Sequence, residues 1–322
     1  MQKMKTLVFG TVPSRRLGRS LGINNIPPKT CTYSCVYCQV GKTTNMTVDR
    51  QAFYKPKELI RAVRIKIDEV TARNEKIDYL TFVPDGEPTL DLNISEEISS
   101  LRQTEIPTAV ITNASILWQG HVIEDLLKAN FISLKVDAVS EDLWRKVNKP
   151  HRDLRLEIVL EGIRNFTEKF RGVVVSETMI IGNIDYGDEF QRIAGFLAEL
   201  KNLIKAYIAI PTRPPTENWV KRPNEDAINA AFQAFSKKLG AGRVEYLMGY
   251  EGNAFASTGK VEVDLLSITA VHPMRQEAVK KFLEKAGVDW QVVEALLGEN
   301  KLVELEYEGN IYYMRKLPNS KN

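Results

Sequence analysis

Outside one eight-residue window the chain has no cysteine. The three thiols are Cys31, Cys35 and Cys38. An odd, clustered set excludes a disulfide framework, and a cysteine-poor chain of this size reads as intracellular. Histidine is as scarce, with His121, His151 and His272 only, none near the cysteines in sequence. Long apolar runs are missing too. Leu7–Phe9 falls short of the roughly 7–15 residues of a signal peptide. Val173–Val175 and Met179–Ile181 are strand-sized, far below the ~20 residues of a membrane span. A cytoplasmic protein with no membrane partner is expected. Net charge is also nearly absent, because 44 Lys+Arg against 41 Asp+Glu leave +3. What remains is ordinary: 43% apolar and 26% charged over 322 residues. Those values exclude a disordered chain or a collagen-like repeat, and the length predicts about two domains.

The balanced charge is unevenly spread. Residues 1–57 hold ten basic residues against one acid, Asp49. Such an excess fits either an anionic ligand near this segment or a solubilising surface. From Pro56 the chain alternates between helical and strand patterns. Pro56 opens a helix at its favoured first position, and Leu59, Val63, Ile67 and Val70 recur at helical spacing. Strands are expected near Leu21–Ile26 and over Ile77–Val83, Thr108–Thr112, Phe131–Val136, Gly172–Ile181 and Ala206–Ile210, mostly separated by helices. A short strand, Val244–Leu247, closes this body. Such alternation predicts a parallel α/β sheet, open or barrel-like, with chemistry at the carboxyl ends of its strands.

Gly249–Gly259 reads as a linker. Beyond it a helix ends at Ala286 and Gly287, Asp289 caps Trp290–Leu297, and Lys301–Tyr307 pairs with Ile311–Arg315. Helix, turn, helix, hairpin is a winged-helix pattern. Its second helix carries Asp289, Glu294 and Glu299 and no basic residue before Lys301, the wrong sign for sequence-specific DNA reading. We therefore expect a docking or packing element. The domains are expected at 1–250 and 260–322.

The thiols are spaced by four and by three. Structural zinc usually takes four ligands, often as two separated cysteine pairs. Three thiolates on one compact loop suit a [4Fe–4S] cluster with one iron left open. With the aromatic Tyr37 before the last cysteine, Cys-x3-Cys-x2-Cys resembles the signature of the radical S-adenosylmethionine (SAM) superfamily. Pro84-Asp85-Gly86-Glu87-Pro88 is similar to that family's Gly-Gly-Glu-Pro motif, with Asp85 in place of the first glycine. Thr112-Asn113 and Met179-Ile180-Ile181-Gly182 also resemble family segments, and the likeness covers roughly residues 7–215. Val12-Pro13-Ser14-Arg15-Arg16-Leu17-Gly18-Arg19-Ser20-Leu21-Gly22 and Pro211-Thr212-Arg213-Pro214-Pro215 look like the tRNA-modifying, wyosine-synthase-like group. The chain departs from that group in lacking cysteines for a second cluster, which separates the shared scaffold from the wyosine reaction itself.

The resemblance implies a partial (β/α)6 TIM-like barrel followed by the small C-terminal winged helix, with the cluster loop at residues 29–41. It implies that Cys31, Cys35 and Cys38 hold the cluster, that SAM is cleaved to a 5′-deoxyadenosyl radical, and that flavodoxin or ferredoxin supplies the electron. Tyr37 would lie near the adenine. Gly86 would allow close backbone approach, and Glu87 or adjacent carbonyls would take the SAM ammonium. Asn113 would contact SAM. Ser133, Lys135 and Asp137 alternate onto one strand face, with Lys135 and Asp137 directed at the SAM carboxylate or substrate. Ser176 and Glu177 occupy the ribose-side strand, either of them facing in. Arg15, Arg16, Arg19 and Arg213 are substrate-side candidates, since Arg recognises phosphate or carboxylate bidentately. The substrate is expected to be tRNA or another anion. A peptide gripped by the winged helix, or a non-enzymatic iron–sulfur regulator, are the alternatives.

Overall fold

The computed structural model describes residues 7–247, 255, 257 and 259–316. The expected linker at Gly249–Gly259 falls almost wholly outside the described residues. In chain order the strands and helices are β1 (Val8–Ser14), β2 (Gly18–Ile23), β3 (Thr30–Cys31), β4 (Asn45–Met46), α1 (Pro56–Thr71), β5 (Tyr79–Phe82), α2 (Ile94–Leu101), β6 (Thr108–Thr112), α3 (Gly120–Leu126) and β7 (Phe131–Lys135). There follow α4 (Glu141–Asn148), α5 (Leu156–Lys169), β8 (Val173–Met179), α6 (Glu189–Glu199), β9 (Leu203–Ala209), α7 (Glu225–Leu239) and β10 (Val244–Leu247). The last stretch holds α8 (Val261–Thr269), β11 (Met274–Arg275), α9 (Gln276–Ala286), α10 (Gln291–Gly298), β12 (Leu302–Tyr307) and β13 (Asn310–Arg315).

Eight strands form one curled half-barrel sheet in the order β1-β2-β5-β6-β7-β8-β9-β10. From β2 onward all pairs are parallel, and β1 runs antiparallel along β2. The α/β half-barrel expected from the alternation is present. Its first strand was not anticipated, because β1 carries Gly10 and Pro13 and reads as irregular. An edge strand tolerates such residues, since one side of its backbone needs no ladder partner. Strand alternation divides the side chains between two layers. Leu80, Phe82, Val110, Ile132, Leu134, Val174, Ala206 and Ile208 pack under the helices. Ala109, Phe131, Val175 and Tyr207 line the inner face and close on Leu17 from the β1–β2 turn. That turn lies at the amino ends of the parallel strands, so Leu17 plugs the floor. The carboxyl ends gather at the opposite mouth.

After the barrel, α8, α9, α10 and the three-stranded sheet β11-β13-β12 share a second apolar core. Phe9 and Val12 of β1 belong to that core rather than to the barrel's. Helix α9 ends at Gly287 in the left-handed region (φ +69°), as its sequence implied. Helix α10 starts one residue later than expected, with Trp290 at its cap and the Asp289 carboxylate accepting the Gln291 N–H at 3.0 Å. Helix α8 was missed because it is buried around most of its surface, which erases the amphipathic period. Ion pairs Lys66–Asp264 (2.8 Å), Lys260–Glu69 (3.1 Å) and Lys285–Glu75 (2.6 Å) fasten this unit to α1 and the residues after it. Among the described residues no helix is long and apolar enough to cross a membrane.

Candidate active site

The cysteine loop is knitted into the mouth by its backbone. Glu87 N donates to Thr30 O at 3.1 Å and Lys29 N to Asp85 O at 2.7 Å, joining the loop to the end of β5. Val36 N donates to Val147 O (2.9 Å) at the end of α4, and His151 N to Thr32 O (2.8 Å). From the far side Glu217 N reaches Val36 O (3.0 Å) and Thr216 Oγ1 reaches Cys38 O (2.7 Å). Buried Tyr33 anchors the loop edge-on against Trp144, with ring centroids 5.8 Å apart. The expectation that no histidine lies near the loop holds in sequence but not in space. Folding brings His151 against it, with its ring turned toward Asp153.

Asn113 Nδ2 lies 3.6 Å from Cys31 Sγ, and Asn148 Nδ2 lies 3.5 Å from Cys35 Sγ. Burial raises the pKa of all three thiols, that of Cys35 to about 12. They become thiolates only beside a strong positive charge such as iron. Among the described residues no three His, Cys, Asp or Glu side chains could hold a single ion. Zinc would need such convergence at about 2.3 Å from sulfur. A cubane does not, because each thiolate holds a different iron. The donor set fits an iron–sulfur cluster.

At the end of β5, Gly86 has φ +152°, and a Cβ there would lie 1.9 Å from Thr30 O. No other residue allows that approach. Glu87 is 1% exposed, and its carboxylate accepts from Thr89 N (3.1 Å), Thr89 Oγ1 (2.5 Å), Thr112 Oγ1 (2.6 Å) and Asn113 N (2.7 Å). It clamps the end of β5 to the end of β6. Burial still raises its pKa despite those donors. The Asn113 amide likewise turns inward, donating to Thr32 Oγ1 at 2.7 Å and accepting from Ser115 N at 3.0 Å. Asp85 faces Lys29 at 3.1 Å, and burial raises its pKa to about 6 against that partner. The sequence did not single out Lys29; its spacing from Asp85 gives no signal.

Along β7, Ser133, Lys135 and Asp137 do share a face, but their partners differ. Buried Asp137 accepts from Tyr37 OH, from Asn148 Nδ2 (2.7 Å) and from Met179 N (2.8 Å), tying the cysteine loop to β8. Lys135 lies 4.9 Å above the Tyr37 ring and donates to Glu177 Oε1 at 2.5 Å. Arg16 enters from the floor, where Nη1 donates to Ser133 Oγ (3.0 Å) and pairs with Glu177 Oε2. Burial would raise the Glu177 pKa, but Lys135 and Arg16 outweigh it and hold the carboxyl at about 2. Asn148 was not foreseen, since an Asn at a helix end is an ordinary turn former.

Three sequence-based assignments change. Ser176 does not face in. It pairs in register with Leu134 and Ala206 on the helix-covered side, and its buried Oγ has no partner among the described residues. Arg15 and Arg19 stay exposed at the floor, away from the cysteines. Arg213 sits at the junction with the C-terminal unit, bonding Gln39 Oε1 and His272 Nε2, each at 2.9 Å. In Met179–Gly182, Ile180 N bonds Ala209 O at 2.8 Å and Gly182 N bonds Lys221 O at 2.7 Å, so this stretch braces the loop after β9.

Comparison with known proteins agrees with this geometry. Residues 25–197 match the radical SAM superfamily. UPF0026 protein MJ1312 of Methanocaldococcus jannaschii is 46% identical over 313 residues, covering 97% of both chains. The solved structure of TYW1 with a lysine-pyruvate adduct bound superposes with a TM-score of 0.52 at 15% identity, covering 68% of this chain and 73% of that one. Streptococcus suis SuiB bound to precursor peptide SuiA gives 0.55 at 13% identity, over 84% of this chain and 65% of that one. Those two likenesses speak for the fold. The sequence match spans more than half of the chain and one relative aligns nearly end to end, so the protein belongs to the radical SAM superfamily.

Proposed function

We propose that this radical SAM enzyme carries one [4Fe–4S] cluster on Cys31, Cys35 and Cys38 and modifies an anionic substrate, with tRNA as the macromolecular candidate. The observation that carries the reading is the set of three half-buried thiols on one loop, joined through Thr30 to Gly86 and Glu87. When bound, the cluster and SAM supply one electron and the scissile sulfonium bond, giving methionine and a 5′-deoxyadenosyl radical. The chain's own residues orient and shield. The Gly86 strap offers backbone carbonyls to an ammonium, because the Glu87 carboxylate is already engaged. Tyr37, fixed by Asp137 and Lys135, is the ring on which an adenine would rest. Lys135 suits the SAM carboxylate and Glu177 the ribose hydroxyls. The apolar inner wall keeps water from a reactive radical.

The core is read as residues 1–250 and the C-terminal unit, 260–322, as a winged helix in which α8, β11, α9, α10, β12 and β13 follow one another. A flavodoxin- or ferredoxin-type reductant and a cytoplasmic setting complete the reading. A peptide substrate is the second reading, favoured by β12, which among the described residues pairs on one side only and can accept an extended segment.

The test is anaerobic reconstitution, iron analysis, then dithionite and SAM with chromatography for 5′-deoxyadenosine. We expect about four irons per chain, as a single cubane requires, and 5′-deoxyadenosine. A full cluster with none formed would remove the enzymatic reading. Salt-sensitive tRNA binding favours the RNA substrate; its absence moves the weight to the peptide.

A further inference from the structure

The inner face of the barrel is apolar around Leu17, Ala109, Phe131, Val175 and Tyr207, yet it holds Arg16, Lys135 and Glu177. Two cations share one carboxylate there. The neighbouring Lys205–Glu245 pair balances itself. Lys135 also has the buried Asp137 close by, so it has a second carboxylate on the cysteine side, whereas Arg16 has only its share of Glu177. Glu177 separates the cations by direction, with Oε1 toward Lys135 on the cysteine side and Oε2 toward Arg16 on the floor side.

Arg16 uses only part of its donor fork. Nη1 serves Ser133 and Glu177, while Nε and Nη2 bond to no described residue and are not among the buried unpartnered atoms. The side chain is 13% exposed, so a small group can reach it. Tyr207 belongs with Leu17, the residue after Arg16, to the inner-face cluster, and Ser133 retains a hydroxyl proton to donate. Arg with an open edge beside the Ser133 hydroxyl, on the barrel face that Tyr207 also lines, is suited to a carboxylate or phosphate.

We infer that Arg16, with Ser133 and Tyr207, forms an anion subsite on the floor side of Glu177 that takes a carboxylate or phosphate group of the substrate, apart from the SAM positions at the strand ends. This rests on reading the protein as a SAM enzyme with an anionic substrate. Arg15 and Arg19, on the same hairpin, point to solvent and take no part.

The test uses reconstituted holoenzyme saturated with S-adenosylhomocysteine and titrated calorimetrically with inorganic phosphate, then with acetate. R16Q is expected to weaken phosphate binding about tenfold or more, the scale of one lost charge-assisted contact. R16K should recover part of it, and R19Q should match the wild type. E177Q should bind phosphate more tightly, because a competing negative charge is gone; a merely structural role for Arg16 would not produce that opposite sign. Phosphate tighter than acetate assigns a phosphate group, and the reverse a carboxylate. The proposal is overturned if the wild type binds neither anion, if R16Q and R19Q lose equally, or if S-adenosylhomocysteine abolishes binding. Wild-type failure to make 5′-deoxyadenosine would strike the enzymatic reading alone, since the titration does not depend on turnover.

Discussion

Cys35 lies between Asn148 and Tyr37, and burial, with Asp137 nearby, raises its pKa to about 12. Cys35→Ala should therefore lose the cluster's visible absorbance, the bound iron and 5′-deoxyadenosine formation together; a variant that kept them would show that another group is the ligand. Gly86→Ala puts a methyl group into Thr30 O and should cost roughly 2–3 kcal/mol, with weakened SAM binding, in calorimetry and thermal melts. Glu97 is a different case. It is fully buried in α2 with both carboxylate oxygens unpartnered among the described residues, and burial, then Asp91 and Glu96, raise its pKa to about 9. The folded protein holds that proton more tightly than the unfolded chain, so stability falls as pH climbs from about 4.3 toward 9. Glu97→Gln should raise Tm at pH 8 and change little at pH 4; at about 2–4 °C per kcal/mol, thermal melts would resolve even a small gain. The cysteines were legible because their chemistry is rare and their spacing is local. Glu87 and Asp137 were legible as positions but not as roles, because hydrogen-bond partners from three other elements decide whether a carboxylate faces a ligand or the fold.

The β1–β2 hairpin shows the same limit one level up. Its Arg-Arg-Leu-Gly-Arg turn reads as a uniformly basic loop, yet folding divides it, with Leu17 and Arg16 inside the barrel and Arg15 and Arg19 outside. Helices with a clear period were anticipated at their marked ends, α1 at Pro56 and α9 at Gly287, whereas β1 and α8 depend on tertiary neighbours for their identity. The loop after β9 is a further element defined by what holds it. Tyr312 OH donates to Thr212 O at 2.7 Å and Thr216 Oγ1 donates to Cys38 O at 2.7 Å, so a short segment links the C-terminal sheet to the cysteine loop. Tyr312→Phe should cost about 1–2 kcal/mol and speed amide hydrogen exchange through residues 211–217 and 36–39. Exchange confined to residues near 312 would mean that the two ends move independently.

Across the whole molecule, the basic excess of residues 1–57 is not one surface. Arg15 and Arg19 lie at the floor, Arg50 is paired with Asp125, and Lys42 lies at the mouth, where it shares Glu217 with Lys149. If RNA docks at the mouth, Lys42→Ala and Lys149→Ala should each lower the salt slope of tRNA binding by about one, while Arg15→Ala and Arg19→Ala leave it unchanged. Filter binding across a salt series distinguishes the two pairs. The α/β plan could be read from the alternation of patterns; the floor and the mouth could not, since that distinction exists only once the strands are aligned.

Phe9 and Val12 complete a core whose other members run from Phe255 to Tyr313. On the ribosome β1 emerges well before the partners that follow the barrel, so throughout the synthesis of the barrel one side of that strand is an apolar surface awaiting its cover. The nascent protein can assemble its barrel in the meantime, but the strand at its edge is finished only when the C-terminal residues emerge, which makes that interval the one in which a chaperone has most to protect.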